Sequence, residues 1–233
     1  MALPTIEEML EAGVHFGHQT RRWNPKMRRF ILAERNGIHV INLQKTQVAL
    51  DEAKTLLRKV ASEGKSILFV GTKSTSKLVV AEVAARTGHF YVAKRWLGGM
   101  LTNFATVKQS IRRLEKIEQM EKDGTFKELA KKEVLGLNAE RAKLEEVFGG
   151  IRNMKGLPSL IVVTDVKYEH LAIAEARRLR IPLIAICDTN VDPDVVDIAV
   201  PGNDDAVKSL NLLLGYITEG VGKGETQKDE SNA

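Results

Sequence analysis

The run Gly13-Val14-His15-Phe16-Gly17-His18-Gln19-Thr20-Arg21-Arg22-Trp23-Asn24-Pro25-Lys26-Met27-Arg28-Arg29-Phe30 gathers five cations, an indole and two histidines into a segment with no regular periodicity. Arg21, Arg22, Lys26, Arg28, Arg29 and Arg35 face only Glu34 as nearby counter-charge. The segment would therefore sit in a positive field that attracts phosphate and releases counterions on binding. Trp23 adds a flat face on which a base or ribose can stack. The alternative is a solvated basic loop whose tryptophan packs into the core, and the segment alone does not decide between them.

Other residues suggest other chemistry. Val70-Gly71-Thr72-Lys73-Ser74 follows an apolar run, as a phosphate loop would. A Walker loop needs glycines to bring backbone N–H groups onto phosphate, whereas Thr72 holds the glycine place before the lysine here. No Gly-x-Gly-x-x-Gly follows a predicted strand. Gly71 and Lys73 read instead as a turn and a basic side chain at a sheet rim, available to RNA. Asp165, Asp188, Asp192, Asp194, Asp197, Asp204 and Asp205 follow predicted strands or open helices, and helix caps and turns account for most of them. A structural metal ion is the open alternative, since His15 and His18 lie in a glycine-punctuated loop on which Asp188 and Asp205 could converge. Against it, the two histidines are not spaced to share a helix face, and histidines hydrogen-bonded in a tight loop are the competing reading. No Ser/His/Asp or Cys/His arrangement has supporting context. No catalytic residue and no cofactor is expected, and the chain reads as a non-enzyme.

The elements that must position these residues follow from periodicity. Thr5-Ile6-Glu7-Glu8 opens a short helix with a capping-box pattern and ends at Gly13. Phe30–Leu32 and Ile38–Ile41 read as strands around the turn Arg35-Asn36-Gly37. Lys45–Ala61 carries Val48, Ala49, Leu56, Leu57 and Val60 at helical spacing. The strand Ser66–Val70 follows, then a helix over Thr75–Arg86 with Leu78, Val79, Val83 and Ala84 inward. Further on come the strand Ser159–Val163, the helix Tyr168–Leu179, the strand Leu183–Ile186 and a helix over Ala206–Val221. Near-continuous apolar strands alternating with helices predict a Rossmann-like α/β core, a mainly parallel sheet with helices on both faces. The first hairpin could supply it with an antiparallel edge.

Between Thr102 and Gly150 the pattern changes. Val107, Ile111, Leu114, Ile117 and Met120 recur at threes and fours, break at Asp123-Gly124, and resume with Phe126, Leu129 and Val134. This predicts an inserted antiparallel helical hairpin projecting ~30 Å, at ~1.5 Å rise per residue. The expected organisation is a core over 1–101 and 151–221, the hairpin over 102–150, and a polar, disordered tail over 222–233.

The chain of 233 residues carries a net charge of +5 and a pI near 9.2, a moderate excess whose meaning depends on clustering. Its single cysteine, Cys187, lies in an apolar run and reads as a buried hydrophobe in a reducing compartment. No apolar run reaches the length of a membrane span, and the N-terminus lacks a signal pattern, so a cytoplasmic protein without membrane partners is expected.

The opening basic segment resembles, word for word and at the same spacing, the bacterial small-subunit ribosomal protein S-two family. The resemblance continues through Arg35-Asn36-Gly37-Ile38-His39-Val40-Ile41-Asn42-Leu43-Gln44-Lys45-Thr46, Ile67–Lys73, Arg95-Trp96-Leu97-Gly98-Gly99-Met100-Leu101-Thr102-Asn103-Phe104, Ile181–Pro193 and Pro201–Ala206. Two departures are local: Ser74-Thr75-Ser76-Lys77 stands where the family usually continues with a lysine, and Ala93-Lys94 where Asn-Gln-like residues are usual. The resemblance implies a coiled-coil hairpin and a structural, rRNA-binding role in the small ribosomal subunit, with neighbouring ribosomal proteins as partners. It also implies recruitment of the mRNA-binding ribosomal protein S-one. The residues expected to face RNA are Arg21, Arg22, Trp23, Lys26, Arg28 and Arg29, then Lys73 and Lys77, then Lys94, Arg95, Trp96, Thr102 and Asn103. Arg112 and Arg113 on the hairpin could reach it as well. Trp96, beside Leu97-Gly98-Gly99, could equally fill a gap between sheet and hairpin. A nucleotide-dependent enzyme on the same core, or a free-standing interaction protein, are the competing classes.

Overall fold

A computed structural model describes residues 3–221; the predicted disordered tail at 222–233 lies outside the described residues. Helix α1 (Ile6–Glu11) begins with the capping box, Glu8 N donating to Thr5 Oγ1 and Thr5 N to the Glu8 carboxylate. Three strands follow, β1 (Phe16–Gln19), β2 (Ile31–Arg35) and β3 (Ile38–Ile41), paired antiparallel in the order β1-β3-β2. Asn36 and Gly37 both take positive φ between β2 and β3, as a tight hairpin turn demands. This hairpin does not supply an edge to the parallel sheet, contrary to expectation: β1 pairs with β3 and closes a separate sheet.

The main sheet has β4 (Ile67–Val70), β5 (Phe90–Val92), β6 (Leu160–Val163), β7 (Leu183–Cys187) and β8 (Ile198–Pro201) in the order β5-β4-β6-β7-β8. Every pairing is parallel. The inner strands β4, β6 and β7 are apolar throughout because both their faces are buried, and alternate residues feed two cores. Ile67, Phe69, Leu160, Val162, Ile184 and Ile186 meet α2 (Leu43–Ser62), α3 (Lys77–Thr87) and α7 (Val207–Ile217) on one face. Leu68, Val70, Ile161, Val163, Ala185 and Cys187 meet α6 (His170–Arg178) and the base of α4 (Phe104–Lys122) on the other. Two residues expected on buried helix faces are not there: Val48 on α2 and Leu78 on α3 are 71% and 75% exposed. Each sits on the solvent side of a helix whose neighbours Ala49 and Val79 already fill the inner face.

Helices α4 and α5 (Lys131–Phe148) are joined through Gly124, at φ +81°, and a short 3-10 turn. Arg113 binds Glu140 through both Nε and Nη2, at 2.9 and 2.8 Å, and Arg141 pairs with Glu121. The α4 stripe Val107, Ile111, Leu114 and Ile117 is buried.

Candidate nucleic-acid interface

All five strands end at one edge of the sheet, where the loops after β4, β6, β7 and β8 gather. The segment over 13–30 is moored to this edge. His18 N donates to Thr189 Oγ1 at 2.9 Å, Asn24 N to Thr189 O at 2.8 Å, and Asn203 Nδ2 to Gly13 O at 3.0 Å. Gly17 is required here: a Cβ would lie 2.6 Å from Thr189 Cγ2 and 2.9 Å from His39 O. Asn24 caps the following 3-10 turn through Lys26 N.

The mooring leaves the basic side chains in two conditions. Arg21, Arg22 and Arg28 are exposed and, among the described residues, have no ion-pair partner, although Arg21 Nε donates to Gln19 Oε1. Arg35, at the end of β2, is likewise exposed. Lys26, by contrast, meets Asp192 at 2.7 Å and Asp194 at 3.3 Å, and Arg29 meets Asp194 at 2.8 Å. The Trp23 ring lies 5.2 Å from His39 at a tilt of 48° and stays about one-third exposed, at 36%. One face is braced and part of the ring is left to solvent.

Lys73 is not an open cation at the rim. Its Nζ lies 2.7 Å from Asp165, 3.0 Å from Asp204 and 2.7 Å from Asp205. Burial works against its charge, but the hydrogen bonds to Asp165 and Asp205 outweigh burial and hold the ammonium above its usual value. Next to it, His18 Nδ1 is 2.9 Å from Asp188 Oδ2 and Nε2 is 3.7 Å from Asp205. The hydrogen bond to Asp188 raises the imidazole above its ordinary value. Asp204, buried and beside Asp165 and Asp188, is pushed up to about 7. Ligand atoms of His18, Asp188 and Asp204 lie within 4.8 Å of one another. Of the residues singled out for a metal, His18, Asp188 and Asp205 come together, Asp204 joins them from the buried side, and His15 stacks on Phe16 outside the group.

The second basic stretch is built around a residue that the sequence does not advertise. Glu175 of α6 accepts from Trp96 Nε1 (3.0 Å), Gly99 N (2.8 Å), Leu101 N (2.9 Å), and Thr102 N and Oγ1 (2.9 and 3.1 Å). Burial would raise its pKa, but these donors outweigh burial and hold the carboxyl below the usual range. Trp96 is 6% exposed and packs in the second core, so it fills the gap between sheet and helices and offers no face for stacking. The available signal was a glutamate between Ala172, Ile173 and Ala176, the buried positions of α6. Asn103 accepts from Thr106 Oγ1 at 2.9 Å ahead of α4. Lys94 pairs with Glu146, and Arg113 pairs with Glu140. Arg95, Lys77 and Arg112 have no ion-pair partner among the described residues, and Arg95 and Arg112 are exposed.

A family model described as ribosomal protein S2 matches residues 9–224. Two relatives, both small ribosomal subunit protein uS2, come from two strains of Treponema pallidum, one of subspecies pallidum and the other the Nichols strain. Each is 54% identical to this chain over 221 residues, which is 95% of this chain and 76% of the relative. A match that begins inside α1 and runs past α7 puts the basic segment, the parallel sheet and the α4–α5 pair in one homologous unit, and the chain belongs to the ribosomal protein S2 family.

Proposed function

We propose that this protein is a structural, non-enzymatic constituent of the small ribosomal subunit in the cytoplasm. It docks on small-subunit ribosomal RNA with the face that residues 13–30 form at the carboxyl edge of the sheet. The observation that carries this reading is the set Arg21, Arg22 and Arg28, exposed and without an ion-pair partner among the described residues, while Lys26 and Arg29 close by are neutralised. Cations left without protein counter-charge on a preordered loop suit phosphate, and phosphate contacts fix orientation without reading sequence. Arg95 and Arg112 extend the footprint toward α4, and Lys77 extends it to the start of α3. The α4–α5 pair, taken as a coiled-coil hairpin inserted over 102–150, serves as an arm toward neighbouring small-subunit proteins. Recruitment of ribosomal protein S-one rests on the family resemblance alone.

Sucrose-gradient fractionation at low and high salt tests the assignment: the protein comigrates with the small subunit and is weakened by salt. For the RNA contact itself, the full chain is titrated with small-subunit ribosomal RNA across salt concentrations. Replacing Arg21, Arg22 and Arg28 together with alanine lowers the salt slope by about 2 to 3, one phosphate contact contributing roughly 0.7–0.9, with the unfolding midpoint unchanged. Unaltered RNA affinity in that variant would remove the footprint.

A second reading concerns a divalent cation at His18, Asp188 and Asp204. Among the described residues, Asp165, Asp188, Asp204 and Asp205 form ion pairs only with Lys73 and His18, so the cluster carries surplus negative charge that a metal ion would balance. An imidazole with carboxylates suits zinc or a similar first-row ion. Equilibrium dialysis with zinc gives one ion per wild-type chain and none in His18→Ala. Equal binding by both would sink the assignment.

A further inference from the structure

The strand order places a topological switch between β4 and β6. The chain leaves β4 through α3 on one face of the sheet and leaves β6 through α6 on the other, so the two loops part and open a crevice at the strands' carboxyl ends. Tyr168 stands in the second of these loops with its side chain 56% exposed. Its backbone is fixed: Lys167 N and Tyr168 N both donate to Asp165 Oδ1 at 2.8 Å, and Glu169 N donates to Asp165 O at 3.0 Å. The loop is also fastened across the crevice, where the buried Glu169 carboxylate accepts from Thr72 N. A large ring held out to solvent on a rigid loop, with no aromatic or cation partner among the described residues, is presented for something else.

Tyr168 borders two clefts at once. One, of about 640 Å³, is lined by Lys94, Arg95 and Lys143. The other, of about 630 Å³, is lined by Arg22, Lys167 and His170. Both volumes lie in the ~300–1,000 Å³ range of small-ligand sites. Anions in these walls are already engaged, Glu146 by Lys94 and Asp165 by Lys73. Arg95 and Lys143 on one side, and Arg22 and Lys167 on the other, have no ion-pair partner among the described residues.

We infer that Tyr168 is a stacking platform for one unpaired nucleotide of the ribosomal RNA, with the phosphates on either side of that nucleotide held in the two flanking clefts. The inference rests on the RNA-binding reading and deepens it. It specifies a single-stranded or bulged nucleotide, since a paired base does not offer its face, and it adds Tyr168, Lys143 and Lys167 to the interface.

The test uses the full chain and intact small-subunit ribosomal RNA. Short-wavelength ultraviolet crosslinking followed by peptide mass spectrometry recovers a nucleotide on the peptide bearing Tyr168. Tyr168→Ala lowers affinity roughly 5- to 150-fold, the range for one lost base stack, while Tyr168→Phe stays within about 2-fold because the ring alone stacks. Neither variant shifts the unfolding midpoint, since the side chain is exposed. Wild-type affinity in Tyr168→Ala, alongside a loss in the Arg21, Arg22 and Arg28 variant, would overturn the inference and leave the RNA-binding reading standing. Failure of the wild-type chain to bind the RNA would overturn both. Saturable binding of free uridine or adenosine monophosphate at Tyr168, with RNA affinity indifferent to the ring, would make this a small-molecule site instead.

Discussion

Arg22 and Lys73 line the same cleft, yet their charges meet different surroundings. Lys73 lies among Asp165, Asp204 and Asp205 and is 19% exposed, so its charge joins the loops after β4, β6 and β8. Arg22 stands in solvent with no ion-pair partner among the described residues. The same division runs through the molecule: Lys26, Arg29, Lys94 and Arg113 belong with Lys73, and Arg21, Arg28, Arg95 and Arg112 with Arg22. Formal charge in a motif therefore does not say what a cation does. A paired cation holds protein to protein, and in the proposed reading an unpaired one is available to phosphate.

Substitutions on the paired side should act chiefly on stability. The largest effect is expected from Lys73→Met, which leaves three carboxylates without their shared cation; urea unfolding should show a loss of about 3 kcal/mol, at the low end for breaking a buried pair because the site is partly open. The salt slope of RNA binding by the folded variant should not change, and a drop in that slope would erase the distinction from Arg22. Next is Glu175→Ala, which strands the donors of the Trp96–Thr102 loop and should cost about 2 kcal/mol. Because the folded carboxyl is held below its ordinary 4.5, its contribution is complete above that value and disappears as pH falls through the lowered one. The stability gap between wild type and Glu175→Gln, followed by unfolding from pH 7 downward, should narrow only in acid.

Smaller effects sharpen the same contrast. Replacing Lys26 and Arg29 together with alanine breaks exposed pairs to Asp192 and Asp194 and should lower the unfolding midpoint only slightly. Its salt slope should fall by less than one phosphate contact, well short of the loss in the Arg21, Arg22 and Arg28 variant. Smallest is Arg113→Ala on α4, expected to cost about 0.5 kcal/mol in thermal unfolding and nothing in RNA affinity.

The parallel sheet was legible where a strand is an unbroken apolar run buried on both faces, as in Ile67–Val70, Leu160–Val163 and Leu183–Cys187. β5 has three residues and β8 ends on a proline, too little pattern for periodicity to register. β1 contains Gly17 and two polar residues and exists only because β3 pairs with it. Among site residues, local charge counting identified Arg21, Arg22 and Arg28 correctly as cations without nearby acids. It could not foresee that Lys26 finds Asp192 166 residues away, or that Lys73 finds Asp165 and Asp204 at separations of 92 and 131. Glu175 was hidden for the same reason, its donors lying 73 to 79 residues earlier. Pairing is a property of the fold, and it decides which cations remain free.

The mooring of the N-terminal segment also sets an order in time. His18 docks on Thr189, 171 residues downstream, so during synthesis the arginine-rich stretch emerges long before its seat exists. At roughly 5–20 residues per second, that interval is on the order of 10–35 s. Throughout it the nascent chain displays unanchored cations beside the very machine that is making it, where ribosomal RNA is the most abundant polyanion. On the RNA-binding reading, the newborn chain's first exposure to RNA therefore precedes the surface proposed to receive it, and early capture by the wrong RNA is a hazard that folding has to outrun.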